Sequence, residues 1–248
     1  MNQPENITEP QAYQTAGRGL AGEVAVMLVA VAAIFFLGQN TPVMSTVMAV
    51  IIIVRFALLN HRGDWMFFLL GVLVGGGNDL MSMYKGVYSY TPPTILPVPI
   101  PVWMVVFWGQ IFVSFRTLMR FGPYRGPDRA PEKLIDAPLA LDIAVAVIYR
   151  LIIYRTASED WLPDALFAAI LIARLLIIAP EDHERKLMLT MLVVGPLYEI
   201  LLIGCGLYDY QTGVVFGMPL WLIIYWVFII RALKAIFDRV EYRLVRQD

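Results

Sequence analysis

Cysteine, histidine and charge are scarce in this sequence, and each shortage excludes a class of protein. One cysteine, Cys205, cannot form a disulfide within the chain. The two histidines, His61 and His183, fall in predicted loops, which excludes a haem-ligand pair and a histidine-rich iron cluster. Nucleotide-binding, serine-hydrolase and zinc-protease motifs are missing as well. We therefore expect no cofactor and no metal, and the net charge of −1 gives no indication of a nucleic-acid partner.

Apolar residues make up most of the chain. Of 248 residues, 59% are hydrophobic and 16% are charged, and the mean hydropathy is +0.67, whereas about a quarter of a soluble domain is charged. Eight apolar runs are long enough to cross a bilayer. They lie near 22–37, 43–59, 65–84, 101–119, 139–154, 163–179, 187–207 and 214–237. These runs predict an all-α integral membrane protein with about eight transmembrane helices.

Basic residues predict the orientation of these helices. They concentrate in alternate loops, and the other loops carry little beyond Lys85 and Arg155. Because cytoplasmic loops of membrane proteins are enriched in lysine and arginine, we expect a multi-pass protein of the inner (cytoplasmic) membrane with both termini in the cytoplasm. Residues 1–20 and 238–248 are then cytoplasmic tails.

A sequence pattern recurs in the two halves of the chain. Gly-Val-Tyr-Ser-Tyr at 86–90 returns as Gly-Leu-Tyr-Asp-Tyr at 206–210, and the acid before it, Asp79, returns as Glu199 at the same offset of 120 residues. An acid, an arginine and paired tryptophans recur in the same order. We infer two parallel four-helix repeats, 21–121 and 138–237, related by a pseudo-two-fold axis along the membrane normal. The charged, proline-rich stretch 122–137 is the cytoplasmic linker.

Asp79 and Glu199 are the strongest candidates for a functional site. A charged side chain within a membrane helix costs at least ~2.5 kcal/mol, so such residues are usually functional. Glycine or proline precedes each acid, at 75–77 and 195–196, which predicts a break in the helix beside each carboxyl. We predict a catalytic pair; the alternative is that each acid bonds to a neighbouring tyrosine or amide and joins helices. Predicted substrate-binding residues around the pair are Asn78, Tyr88, Tyr90, Trp108, Tyr198, Tyr208, Tyr210 and Trp226.

Two further pairs of opposite charge occupy equivalent places in the repeats. Glu23 and Arg55 in the first repeat correspond to Asp142 and Arg174 in the second. All four lie near predicted cytoplasmic helix ends, where an ion pair is tolerated, so we expect structural ion pairs. Arg150 is predicted to extend its guanidinium toward the membrane surface.

The acid, Gly-Val-Tyr-Ser-Tyr and the following Pro-Val-Trp-Met-Val-Val-Phe-Trp at 101–108 resemble the carotenoid-hydratase family and, more distantly, the membrane lycopene cyclases. The resemblance implies acid-catalysed hydration or cyclisation of an isoprenoid or carotenoid lipid without a cofactor.

Three functions fit the pattern. The first is a membrane enzyme in which one acid protonates a lipid alkene and the other acts as base. The second is a proton-coupled transporter. The third is a non-catalytic subunit of a homo-oligomer or of a larger membrane complex, in which Gly71 and Gly75 would mediate helix contacts.

Overall fold

The structure, a computed structural model, describes residues 9–126, 133–156, 158–159 and 161–242. Its helices are α1 (Glu9–Leu37), α2 (Thr41–Leu59), α3 (Asp64–Leu70), α4 (Gly77–Tyr84), α5 (Val102–Arg120), α6 (Ala137–Thr156), α7 (Leu162–Ile177), α8 (Asp182–Gly204) and α9 (Leu220–Val240). A π-helical turn, Gly71–Gly76, joins α3 to α4 in one continuous segment. The only strands in the described ranges are β1 (Tyr88–Tyr90) and β2 (Tyr208–Tyr210).

The predicted membrane fold is confirmed. If α3, the π turn and α4 are counted as one segment, the described chain has eight long helical segments. Seven of them are long and apolar enough to cross a membrane. The eighth, α7, is shorter at 16 residues. Large apolar side chains on the outer faces are exposed, such as Leu28, Ile53 and Leu176, as expected for surfaces that contact lipid.

Both halves of the chain have the same packing. In the first half α1 packs on α2 and α5, and α5 packs on α3 and the π turn. In the second half α6 packs on α7 and α9, and α9 packs on α8. The matching arrangement confirms the two parallel four-helix repeats.

Several predicted boundaries differ from those observed. The first helix begins at Glu9, so 9–20 are helical, while residues 1–8 of the predicted tail lie outside the described part. The last helix begins at Leu220, because the chain turns back before Pro219 through a bridge between Val215 and Met218. Residues 127–132 of the linker and 243–248 of the C-terminal tail also lie outside the described residues.

The two ends of the helical bundle differ in chemistry. Buried arginines and acids from several helices gather at one end, which we call the arginine end. The two strands lie at the opposite end, which we call the tyrosine end. Helices α1, α4, α6 and α8 run toward the tyrosine end, and α2, α5, α7 and α9 return from it.

Candidate functional site

The glycine of each Gly-x-Tyr-x-Tyr motif ends a helix. Gly86 has a φ of 69°, a left-handed conformation that costs glycine little. Its amide donates to the Met83 carbonyl at 2.9 Å, and the Val87 amide donates to the Ser82 carbonyl at 3.0 Å. This pair of bonds is a Schellman cap. Gly206 has the same geometry with a φ of 66°, so the repeated glycine is explained by helix termination.

The tyrosines of the two motifs pair across the pseudo-two-fold axis. Strands β1 and β2 are antiparallel, with Tyr88 opposite Tyr210, Tyr90 opposite Tyr208, and Ser89 opposite Asp209. Tyr88 corresponds to Tyr208 and Tyr90 to Tyr210, so the two tyrosine pairs are related to each other by the two-fold axis, as symmetry requires. The Tyr88 ring lies 5.2 Å from the Tyr210 ring and 5.7 Å from the Tyr208 ring, measured between centroids.

Burial keeps these four hydroxyls in their neutral form. Removal from water raises the pKa of Tyr88, Tyr90, Tyr208 and Tyr210 well above the usual value for tyrosine, and the nearby acids raise it further. Each hydroxyl therefore keeps its proton, and Tyr90 and Tyr208 donate theirs to the two acids.

Each intramembrane acid accepts hydrogen bonds from a tryptophan and a tyrosine of its own repeat. Oδ2 of Asp79 lies 2.6 Å from Nε1 of Trp108 and 3.2 Å from the Tyr90 hydroxyl. Oε1 of Glu199 lies 3.0 Å from Nε1 of Trp226, and its Oε2 accepts from the Tyr208 hydroxyl. We call these two acids, two tryptophans and the four strand tyrosines the acid–tyrosine cluster.

A glycine one turn before each acid leaves space for the tryptophan ring. A Cβ at Gly75 would lie 2.5 Å from ring atoms of Trp108, and a Cβ at Gly195 would lie 2.6 Å from Cγ of Trp226. These glycines let the indole lie against the helix backbone, where its N–H reaches the acid.

The predicted helix breaks are wrong. In the first repeat a π turn continues the helix, and in the second α8 continues through Pro196. The glycines make room for the indole instead of interrupting the helix. Gly71 and Gly75 pack against Trp108 and Gly109 of the same chain, so they are not free to contact a partner.

Two of the predicted substrate-binding residues lie at the margin of the cluster. Asn78 contributes its backbone carbonyl, which accepts from the Ser82 hydroxyl at 2.9 Å. Its counterpart Tyr198 packs near Phe107, with ring centroids 6.1 Å apart, and feels the charges of both acids.

At the arginine end, the first repeat carries a buried charge network. Arg55 donates through Nε to Glu23 at 2.8 Å and lies 2.6 Å from a carboxylate oxygen of Asp64. Arg116 donates to Asp64 as well and to Glu241 at 2.8 Å, which connects the first repeat to the residue that follows α9. Glu23 and Arg55 were predicted from the sequence, whereas Asp64, Arg116 and Glu241 were not. Charges at Asp64 and Arg116 recur in the second repeat, and this recurrence could have revealed them.

The second repeat has a smaller network at the same end. Arg174 donates to Asp142 at 2.6 Å, and Arg231 lies 3.9 Å from Asp142 and 3.3 Å from Glu184. Arg174 and Asp142 are both almost completely buried. Each predicted acid–arginine pair is thus in contact, and each belongs to a larger network.

Both halves of the chain match one protein family. A family model described as "Protein of unknown function (DUF2878)" matches residues 23–125 and 147–247, one segment in each half. The chain belongs to this family. No curated protein matches it.

Two solved structures share the fold of this chain. One is MvINS, a mycobacterial Insig homolog from Mycobacterium vanbaalenii, with 19% identity and a TM-score of 0.56 over 74% of this chain and 96% of that one. The other is a cross-linked MvINS variant solved as a trimer, with 21% identity and a TM-score of 0.55 over 73% and 95%. At these identities the comparison shows the fold alone.

The resemblance to carotenoid hydratases and lycopene cyclases is wrong. The family match and the Insig-like neighbours replace it. The misleading motif has a structural explanation, since Gly-x-Tyr-x-Tyr combines a helix cap with a strand that pairs the repeats.

Proposed function

We propose that this protein is a non-catalytic, self-associating membrane subunit, in which the acid–tyrosine cluster holds the two repeats in a fixed arrangement. The observation that carries the proposal is the hydrogen bonding of the two acids. Each carboxyl accepts from an indole N–H and a tyrosine hydroxyl, and only 7% of Asp79 and 6% of Glu199 is exposed.

A catalytic acid needs a proton path to its substrate. It must come within hydrogen-bond reach of the reacting atom, either directly or through one water. Here indole and phenol groups of the same repeat cover each carboxyl. A tryptophan N–H can only donate, so its bond serves to hold the carboxyl in place.

Self-association is supported by the Insig-like neighbour that was solved as a trimer. We propose that this chain likewise forms a homo-oligomer in the cytoplasmic membrane, with its arginine end in the cytoplasm. The basic loops at that end support this orientation.

A second candidate keeps the acids chemically active, as in a proton-coupled carrier or a lipid-modifying enzyme. It is favoured by the connection between the acids, because Tyr90, which bonds Asp79, and Tyr208, which bonds Glu199, have ring centroids 5.4 Å apart. Coupled acids inside a membrane occur in proton relays.

The two candidates predict different results for one experiment. Purified protein is incubated with membrane lipid extract, and the lipids are analysed by mass spectrometry beside the Asp79→Asn and Glu199→Gln variants. The oligomeric state of the protein in the same samples is measured by native mass spectrometry. We expect a discrete homo-oligomer and the same lipid profile in all three samples. A lipid product that disappears in either variant, or a monomer at every protein concentration, contradicts the proposal.

A further inference from the structure

Arg150 is a cation inside a membrane segment, and its hydrogen bonds to other described residues are to the neutral Ser82 and Tyr225. It lies on α6, six residues before the helix ends at Thr156, which is about 9 Å at 1.5 Å per residue. One terminal nitrogen donates to the Ser82 hydroxyl at 3.2 Å, and the other donates to the Tyr225 hydroxyl at 2.6 Å. The guanidinium also lies 4.7 Å from the centre of the Tyr225 ring. The predicted extension toward the membrane surface is wrong, because the side chain bridges the two repeats.

The other buried arginines of the bundle are neutralised differently. Arg55, Arg116, Arg174 and Arg231 each lie within 4 Å of a carboxylate. No such ion pair joins Arg150 to an acid in the described part of the chain. The Asp79 carboxyl bonds Trp108 and Tyr90 instead.

The polar group formed by Arg150, Ser82 and Tyr225 is present on one side of the two-fold axis and has no equivalent on the other. At the pseudo-symmetric positions, Arg150, Ser82 and Tyr225 are replaced by Val31, Leu202 and Phe107. The equivalent place on the other side of the two-fold axis is therefore apolar. Since the fold is satisfied by apolar residues there, the charge at Arg150 is not required for packing.

The guanidinium retains capacity for a ligand. An arginine has five N–H donors in a planar fork, and two of them are used by Ser82 and Tyr225 among the described residues. Arg150 is partly exposed, so this residue reaches the surface of the bundle. This donor geometry matches the paired oxygens of a phosphate.

The surroundings match a phospholipid. Along α6, Val147 and Leu151 are exposed at 54% and 55%, as expected for residues that contact acyl chains. Beyond Arg150 toward the tyrosine end, Lys85 follows α4 and Arg155 lies near the end of α6, and both are exposed. These are the two basic residues that departed from the loop charge pattern, and they lie at the ends of the two helices that carry Arg150 and its acceptor Ser82.

We propose that Arg150, held by Ser82 and Tyr225, binds the phosphate of an anionic phospholipid from the leaflet at the tyrosine end. Lys85 and Arg155 add attraction for the net negative headgroup, and the acyl chains lie along α6. A membrane lipid fits better than a free phosphate ion, because apolar side chains line the approach to Arg150.

The test uses delipidated full-length protein in detergent, titrated with phosphatidylglycerol or phosphatidylcholine and followed by native mass spectrometry. We expect phosphatidylglycerol to bind at least about tenfold more tightly, because both lipids carry a phosphate but the cationic choline of phosphatidylcholine is repelled by Arg150, Lys85 and Arg155. The Arg150→Val variant, which carries the residue of the first repeat, should lose this preference. The matched control is Arg185→Val, which removes an exposed arginine at the other end of the bundle and should retain it.

A second measurement does not depend on the folding of any variant. Wild-type protein is irradiated with a phosphatidylglycerol that carries a photoreactive acyl chain, and the labelled peptides are identified. We expect labelling of α6 around 147–151. Equal affinity for the two lipids, labelling confined to other helices, or complete competition by millimolar inorganic phosphate overturns the proposal.

Discussion

Adding one methyl group at Gly75 should displace Trp108 and weaken the acid–tyrosine cluster. The new Cβ of Gly75→Ala would lie 2.5–2.7 Å from three atoms of the indole, far inside van der Waals contact. The ring must then shift, and its N–H moves away from Asp79, where it now lies at 2.6 Å. The helix cannot move closer to α5 to accommodate the shift, because its backbone at Gly71 is already close to Trp108 and Gly109.

The expected cost has three contributions. Overpacking of a filled core costs about 1–3 kcal/mol. Loss of a hydrogen bond between membrane helices adds about 0.6 kcal/mol on average. Replacing glycine by alanine within a helix returns up to about 1 kcal/mol. We therefore expect Gly75→Ala to lower the free energy of unfolding by about 1–3 kcal/mol in total.

The chain contains a matched control two residues away. A Cβ at Gly77 has no neighbour within 4 Å, so Gly77→Ala should stay within about 1 kcal/mol of the wild type or become more stable. Gly195→Ala and Gly204→Ala form the same pair in the second repeat. Thermal unfolding in detergent, followed by tryptophan fluorescence, measures all four variants. Equal stability of Gly75→Ala and Gly77→Ala would refute the proposed role of the glycine.

Three further predictions concern the ion pairs, the topology and the acids. Arg55→Met should cost about 3 kcal/mol because it leaves the buried Glu23 without its arginine and leaves Asp64 with Arg116 alone, whereas Arg185→Met, at an exposed pair, should cost less than about 1 kcal/mol. Adding Glu23→Gln should restore part of the Arg55 loss, and strictly additive thermal stabilities would show no coupling. Reporter fusions after Phe121 and Lys186 should report the cytoplasm, and fusions after Thr94 and Gly213 the outside; an outside signal after Phe121 contradicts the orientation. Asp79→Ala should destabilise more than Asp79→Asn by about 1–2 kcal/mol in the same unfolding assay, because asparagine retains an acceptor for the Trp108 N–H, and equal losses would show that this bond contributes nothing.

Much of the fold was predictable because the sequence repeats itself. The offset between Asp79 and Glu199 and the recurrence of Gly-x-Tyr-x-Tyr predicted two parallel units, and apolar runs predicted the helices. The boundaries were less predictable, since apolar residues such as Val214 and Val215 also occur in the turn before Pro219. Apolar composition shows that a segment avoids water, but does not show where a helix begins.

The site was only partly predictable, because partners within it are far apart in sequence. The acids, tryptophans and tyrosines were all identified, but the pairing of Trp108 with Asp79 depends on close contact between α5 and the π turn. Glycine at 75 was interpreted as a helix breaker, although its role depends on the indole that covers it. Arg150 was misjudged because its acceptors, Ser82 and Tyr225, are 68 and 75 residues away.

Strands β1 and β2 are proposed to fix the two repeats to each other at the acid–tyrosine cluster. Cysteines at Ser89 and Asp209, in a Cys205→Ser background, provide a test, because these exposed positions lie opposite each other. Directly opposed residues of antiparallel strands are about 4.5–5.5 Å apart between Cα atoms, which is within the range of a disulfide. After mild oxidation and cleavage in the linker, gel mobility shows whether the two halves remain joined. We predict nearly complete joining for Ser89→Cys with Asp209→Cys and little for Ser89→Cys with Gln211→Cys. Absence of the first cross-link, or preference for the second, would contradict the account.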